Sequence, residues 1–402
     1  QPAERLEVAG RGDPQFGGPA QLRVVAGDRV AGHHQRGVRR QVMGQVVLQL
    51  KEEWDAGLLA GRTPPDYAAY DAYRTGVELF LAERYPEAIR EFDRARGLDS
   101  TFWSPLLRIG TAYGNMGQNA RWDSVLRLIE PHRGQLSPIE RINIDWARAE
   151  LRGDLPAAYR HAREWLRRTP SSPTRYLVAG AAFALNRPGE TVELLQEEPE
   201  DARIRKTWVW FHDRLAAAHH VLGEHEQELK AAREAGALFP GHPRPVVLEA
   251  LALASLDRPA EAEQRAGELP LFPSDATETA ARLVEVGDAL GAHGHAAAAT
   301  RLYERALRSW HAPGSPTTPE QHRAYAALLR RVGRLEEAAE HAALAHAGDP
   351  GDGVAHALVG LVAAQRGDRL EAERIATEVA ARDDASVHGG DTYNRASIRA
   401  RL

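Results

Sequence analysis

From about residue 68 onward, apolar and small residues recur at three- and four-residue spacing, the period of a helix with one buried face. That pattern itself repeats. Gly76-x-x-Leu79 is followed by Ala88, Phe92 and Ala95, and the run closes at Leu98-Asp99-Ser100. The same offsets return from Gly287, with Leu290, Ala299, Tyr303 and Ala306, and from Gly360, with Ala363, Ala372 and Ala376. Weaker copies open at Gly110, Trp146, Gly180, Ala216, Leu248 and Ala326, so successive copies start 32 to 39 residues apart. A period of this size marks a helical-repeat array, in which each copy predicts a pair of antiparallel helices.

Small residues at the first position and twelve residues later predict close approach of the two helices. Seven residues after the start, Gly117, Gly153, Gly223, Gly294, Gly333 and Gly367 stand where the first helix must end in a left-handed turn. Proline 24 residues after the start (Pro170, Pro240, Pro350) stops the second helix. The two longest intervals contain the segment around Pro270 and Pro273 and the stretch Pro313-Gly314-Ser315-Pro316, predicted to be inter-repeat loops. A lone hairpin of helices cannot bury its apolar face, so each must stack on the next. The expected fold is all-α, a right-handed solenoid of about nine helical hairpins over residues 68–384.

Before the array the pattern changes. Leu22, Val24 and Val25 on one side of Ala26-Gly27-Asp28, with Val30 on the other, read as a short β-hairpin within an N-terminal extension, residues 1–41. Val42, Val46, Leu50, Trp54 and Leu58 recur every four residues, predicting a capping helix in a segment that runs to residue 67. Residues 385–402 read as a basic tail.

The repeat pattern resembles the tetratricopeptide repeat (TPR). More narrowly, Tyr70-Asp71-Ala72-Tyr73-Arg74-Thr75-Gly76 and Leu136-Ser137-Pro138-Ile139-Glu140-Arg141 are similar to TPR arrays of bacterial multidomain regulators. The resemblance implies a concave groove lined by first-helix positions. Carried over, these are Tyr70, Tyr73 and Phe80 in the first copy, Asn143 and Glu150 in the third, Trp210, Asp213 and His220 in the fifth, and Arg323 and Arg330 in the eighth. For Tyr73 and Trp210, packing between repeats is the competing expectation. The basic clamp with which some TPR domains hold a terminal carboxylate needs Lys and Asn on successive helices. Only Asn143 is present, so chaperone tails are not expected ligands.

Charge adds one idea. The net charge of −5 is uneven: residues 1–50 carry seven Arg against four acids, and the last eight residues hold Arg395, Arg399 and Arg401 with no acid. Basic ends on an acidic body predict head-to-tail attraction between copies, with Leu22, Val24, Val30, Arg395, Arg399 and Arg401 as contact residues. A contact of that kind that does not close on itself builds a filament. The pI of about 6.4 argues against nucleic acid. No apolar run reaches the roughly 18 residues of a membrane span. A removed export signal would leave an end such as Gln1, so an exported chain is expected, with the cytoplasm as the alternative.

Catalytic and cofactor chemistry is not expected. With no Cys there is no thiolate nucleophile, disulfide or sulfur-bound metal. Phosphate-loop and nucleophile-elbow motifs are missing, and Arg11-Gly12-Asp13 is too short to signify adhesion. Among 17 His, the clusters His33-His34, His219-His220 with His225, and His293 with His295 lack the His-Glu-x-x-His arrangement, so no metal is expected. Glu52-Glu53 and Glu336-Glu337 read as solvated helix surface and Glu197-Glu198 as loop. The expected function is a non-enzymatic scaffold that binds protein partners or its own copies. The rival is a peptide- or ligand-binding sensory or regulatory module, like a detached piece of a bacterial signalling protein.

Overall fold

The computed structural model describes residues 65–199, 202–272, 276–311, 316–381 and 398. The β-hairpin and capping-helix expectations, with Leu22, Val24, Val30, Arg395, Arg399 and Arg401, lie outside those residues. Within them the chain is all helix and turn. Nine antiparallel hairpins follow one another: α1 (Tyr67–Leu81) with α2 (Tyr85–Leu98), α3 (Ser104–Asn115) with α4 (Asn119–Ile129), α5 (Pro138–Leu151) with α6 (Leu155–Arg168), and α7 (Ser172–Ala184) with α8 (Pro188–Gln196). A five-residue helix, α9 (Arg203–Thr207), precedes α10 (Val209–Leu222) and α11 (His225–Leu238). The series ends with α12 (Arg244–Ser255) and α13 (Pro259–Ala266), α14 (Ala276–Ala292) and α15 (Ala296–His311), α16 (Pro319–Arg331) and α17 (Leu335–Gly348), and α18 (Gly353–Arg366) and α19 (Arg369–Ala380). All nine starts read from the sequence, Gly76 to Gly360, fall in the first helix of a pair. Both Pro-rich insertions fall between hairpins.

One turn closes every pair. Two residues before the second helix sits a residue with positive φ: the six glycines expected, and Glu83, Asn186 and Asp257 in the other three hairpins. The following N–H reaches back to the carbonyl five residues earlier in all nine, from Arg84 to Leu79 through Asp368 to Ala363, at 2.8–2.9 Å. That bond satisfies a carbonyl the helix end would leave bare. Glycine is the least strained choice there, but the bond, not the glycine, defines the turn.

The small first residue allows the close approach expected, and the group it admits is a ring of the paired helix. A Cβ on Gly76 would stand 2.5 Å from the Phe92 ring, and one on Gly287 2.5 Å from Tyr303, so the glycine seats the side chain 16 residues on. In the second hairpin Trp122, at the position expected to be small, lies over Gly110 and Gly114. Gly180 seats nothing, since no atom lies within 4 Å of its Cβ direction.

Further hydrogen bonds join neighbouring hairpins. Ser137 and Glu140 form a capping box at the start of α5, and the fully buried Glu140 also accepts from Ser104 Oγ on α3 at 3.3 Å. Glu198 lies in the loop after α8, as expected, and it is buried there: it accepts from Ser172 Oγ at 2.6 Å and pairs with Arg175. Of the other two acidic pairs, Glu52-Glu53 lies outside the described residues, and in the second Glu336 meets Arg366 and Glu337 meets Arg334. At the far end Ile398, from the basic tail, is fully buried against Gly360 and Ile375 of the last hairpin.

Candidate functional site

The first five hairpins curl until the first meets the fifth. Glu83, in the α1–α2 turn, accepts the Trp210 indole N–H of α10 at 2.7 Å, across 127 residues of chain. His242 Nε2 lies 3.6 Å from the same carboxylate. Asn115 donates to Tyr85 Oη at 3.4 Å, and Leu81 packs against the apolar cluster of the fourth and fifth hairpins. The curl forms a half-open cavity of 550 Å³.

Aromatic side chains make much of the wall: Trp146, Trp165, Trp208, Trp210, Tyr85 and Tyr176. Tyr176 packs on Trp208, ring centres 4.6 Å apart, and its hydroxyl donates to the Trp210 carbonyl at 3.2 Å. Trp210 is held on a second side by the Arg244 guanidinium, 5.7 Å from its ring centre. Arg244 in turn donates to Asp213 at 2.6 Å and to both oxygens of Glu285 at 2.8 Å. Burial alone would lower the Arg244 pKa, but the two carboxylates outweigh it and hold the pKa above the usual arginine value. Asp213 and Glu285 thus share one guanidinium, and the inward surface sets the aromatic rings beside Arg108, Glu150 and Arg214. Burial raises the Tyr176 pKa, and burial followed by Glu83 raises that of Tyr85, so both phenols stay protonated as hydrogen-bond groups. The buried Trp146 Nε1 has no acceptor among the described residues.

Five of the ten groove residues carried over from the repeat resemblance line this cavity: Phe80, Asn143, Glu150, Trp210 and Asp213. Tyr70 and Tyr73 do not. Both are buried in the first hairpin's core, Tyr73 between Phe92 and Phe102 with ring centres 5.6 and 5.1 Å away, because the neighbouring hairpin covers that face. Tyr73 still touches the site indirectly, accepting from Arg108 Nε at 3.3 Å, and Arg108 is on the wall. Arg323 and Arg330 belong to the eighth hairpin, away from the cavity; Arg323 pairs with Asp352 at 3.2 Å and Arg330 donates to Gln365 at 3.3 Å. His220 meets His225 and Glu228 instead of the cavity. Trp146, Trp165, Trp208, Tyr85 and Tyr176 were not singled out as groove residues. The available signal was density: six of the eight Trp fall between residues 103 and 210.

Stacked hairpins in one register, each shut by the same turn, define a TPR-like helical-repeat protein. No protein-family model matches the chain, and no curated protein does either. Among solved structures it is similar to a tetratricopeptide repeat protein from Parabacteroides merdae, at 14% identity over 66% of this chain and 97% of that one, TM-score 0.40. It is also similar to yeast Tom70, at 12% identity over 92% and 97%, TM-score 0.35. A third is NprR in complex with its cognate peptide NprX, at 13% identity over 78% and 88%, TM-score 0.42. The fold assignment rests on this chain's own nine hairpins.

Proposed function

We propose that the chain is a non-enzymatic scaffold that binds a protein partner by taking a short segment of it, led by an apolar or aromatic side chain, into the cavity of the first five hairpins. The observation that carries this reading is the 550 Å³ volume behind a wall of four Trp, held from outside by Glu83 and Arg244. A void of that size lies within the range of small-ligand sites, roughly 300–1,000 Å³, and preorganised aromatic walls reduce the ordering cost of binding.

Gly180 provides the test. It lines the cavity and a Cβ added there has no atom within 4 Å, so Gly180→Leu projects an apolar side chain from an uncrowded position into the space a ligand would use. Peptides selected from a random library on the purified chain should change its Trp fluorescence and bind at least about tenfold more weakly to the Leu variant. Selected peptides that bind wild type and variant alike would sink the reading.

The self-associating version draws on the basic ends and acidic body. Ile398 weighs against using the tail this way, since it already covers the last hairpin of its own chain. Light scattering at low salt and high concentration separates the two: assemblies larger than the 44.1 kDa monomer support association, and monomer alone ends it.

A further inference from the structure

The fifth, sixth and seventh hairpins bring together side chains that the sequence scatters. His220 is at the end of α10, His225 and Glu228 are in the first turn of α11, and His293 directly follows α14. Glu228 is buried, and one of its oxygens, Oε2, lies 3.1 Å from His220 Nδ1 and 3.0 Å from His225 Nδ1. Ser255 Oγ of α12 touches both His220 Nδ1, at 3.3 Å, and His293 Nε2, at 3.2 Å. The three imidazole rings form a near-equilateral triangle, with centres 5.4, 6.0 and 6.1 Å apart.

We propose that His220, His225 and Glu228 bind a divalent transition-metal ion of the zinc class, with His293 as fourth ligand. Around tetrahedral zinc, with bonds near 2.0–2.1 Å, ligand atoms stand about 3.3 Å apart and imidazole centres about 5.2 Å apart. The carboxylate–imidazole separations here are 3.0 and 3.1 Å, so His220, His225 and Glu228 already stand close to that spacing, while His293, 3.2 Å from Ser255 Oγ, has to swing inward to join them. Nitrogen with one carboxylate oxygen suits zinc and its neighbours and not calcium or magnesium, which prefer all-oxygen shells. The His-Glu-x-x-His pattern sets two histidines four apart on one helix. Here the ligands come from both sides of one hairpin turn and from a turn two hairpins away. An ion held this way ties the fifth hairpin to the seventh and stiffens the joint between the cavity-bearing half and the rest of the array. Protons shared between the imidazoles and Glu228 would explain the same distances without a metal, and the experiment has to separate the two.

The chelator-stripped full chain is titrated with zinc chloride by calorimetry and with cobalt chloride by visible absorption. One equivalent of zinc should bind, cobalt should give the intense band of a tetrahedral site, and the thermal midpoint should rise with zinc. His225→Ala and Glu228→Gln should weaken binding by roughly 100-fold or more, and His293→Ala by about tenfold. His293 is exposed, so its variant stays folded even if replacing the buried Glu228 perturbs the fold. The double variant His322→Ala with His341→Ala removes a separate close histidine pair, 2.8 Å apart, and should leave the titration unchanged. Absence of a one-equivalent event in the wild type overturns the proposal. So does binding that survives His225→Ala, or that disappears with His322 and His341.

Discussion

Residue identity alone does not tell what a repeat position does. Gly76 and Gly180 occupy the same place in their repeats, yet one is pressed against Phe92 and the other faces an empty cavity. Gly76→Ala must push an aromatic ring out of a closed core and should cost about 1–3 kcal/mol. Gly180→Ala adds a methyl in open space and removes a flexible residue from a helix interior, so it should stabilise by about 0.5–1 kcal/mol. Urea unfolding monitored by circular dichroism reads both; equal effects would mean that the two glycines are seated alike. Trp210 makes the same point. Its type is compatible with packing or with recognition, and the Glu83 bond and the Arg244 face contact show that here it is fixed by the protein and still on the cavity wall.

At the scale of the element, local hydrogen bonds set where helices begin and end, and some of them also link neighbours. The physical content of the stretch Leu136–Arg141 is the capping box of α5: Glu140 N–H donates to Ser137 Oγ at 3.2 Å, and Ser137 N–H to Glu140 Oε2 at 2.8 Å. Ser137→Ala removes one cap and should cost about 1 kcal/mol. Glu140→Ala also strands the buried Ser104 hydroxyl of the previous hairpin, so its cost should be larger, about 2–3 kcal/mol. Thermal unfolding of the two variants tests the order; if the serine variant is the weaker, Glu140 carries no inter-hairpin role. The shared turn works similarly. Glu83, Asn186 and Asp257 accept a left-handed backbone because the returning N–H satisfies the helix end in their hairpins as in the glycine ones.

Across the whole molecule, nearest-neighbour stacking is supplemented by contacts that join the first hairpin to the fifth, the Glu83–Trp210 bond among them. In a simple stack, damage stays with adjacent repeats. Here Trp210→Ala removes the bond to Glu83, so hydrogen exchange should quicken in Tyr67–Leu81 as well as in Val209–Leu222, with little change in Gly353–Arg366. Exchange confined to the fifth hairpin and its neighbours would show that the curl contributes nothing to stability.

The helical period, the nine starts and six of the nine turn positions could be read from the sequence, because each depends on residues within about 40 positions of one another. A glycine before a capped helix and an alanine facing the next turn act locally, and locality is visible in a string of letters. Glu83, Asn186 and Asp257 were invisible as turn residues because the deciding interaction is a main-chain bond that any residue can make. The cavity was only half legible. First-helix positions pointed to Phe80, Asn143, Glu150, Trp210 and Asp213, but the burial of Tyr70 and Tyr73 depended on how closely the next hairpin approaches. The gathering of His220, Glu228 and His293 needed the same information. Small rotations between hairpins add up along the array, and that sum, which no single repeat encodes, decided that the first hairpin meets the fifth and which side chains face one another across the gap.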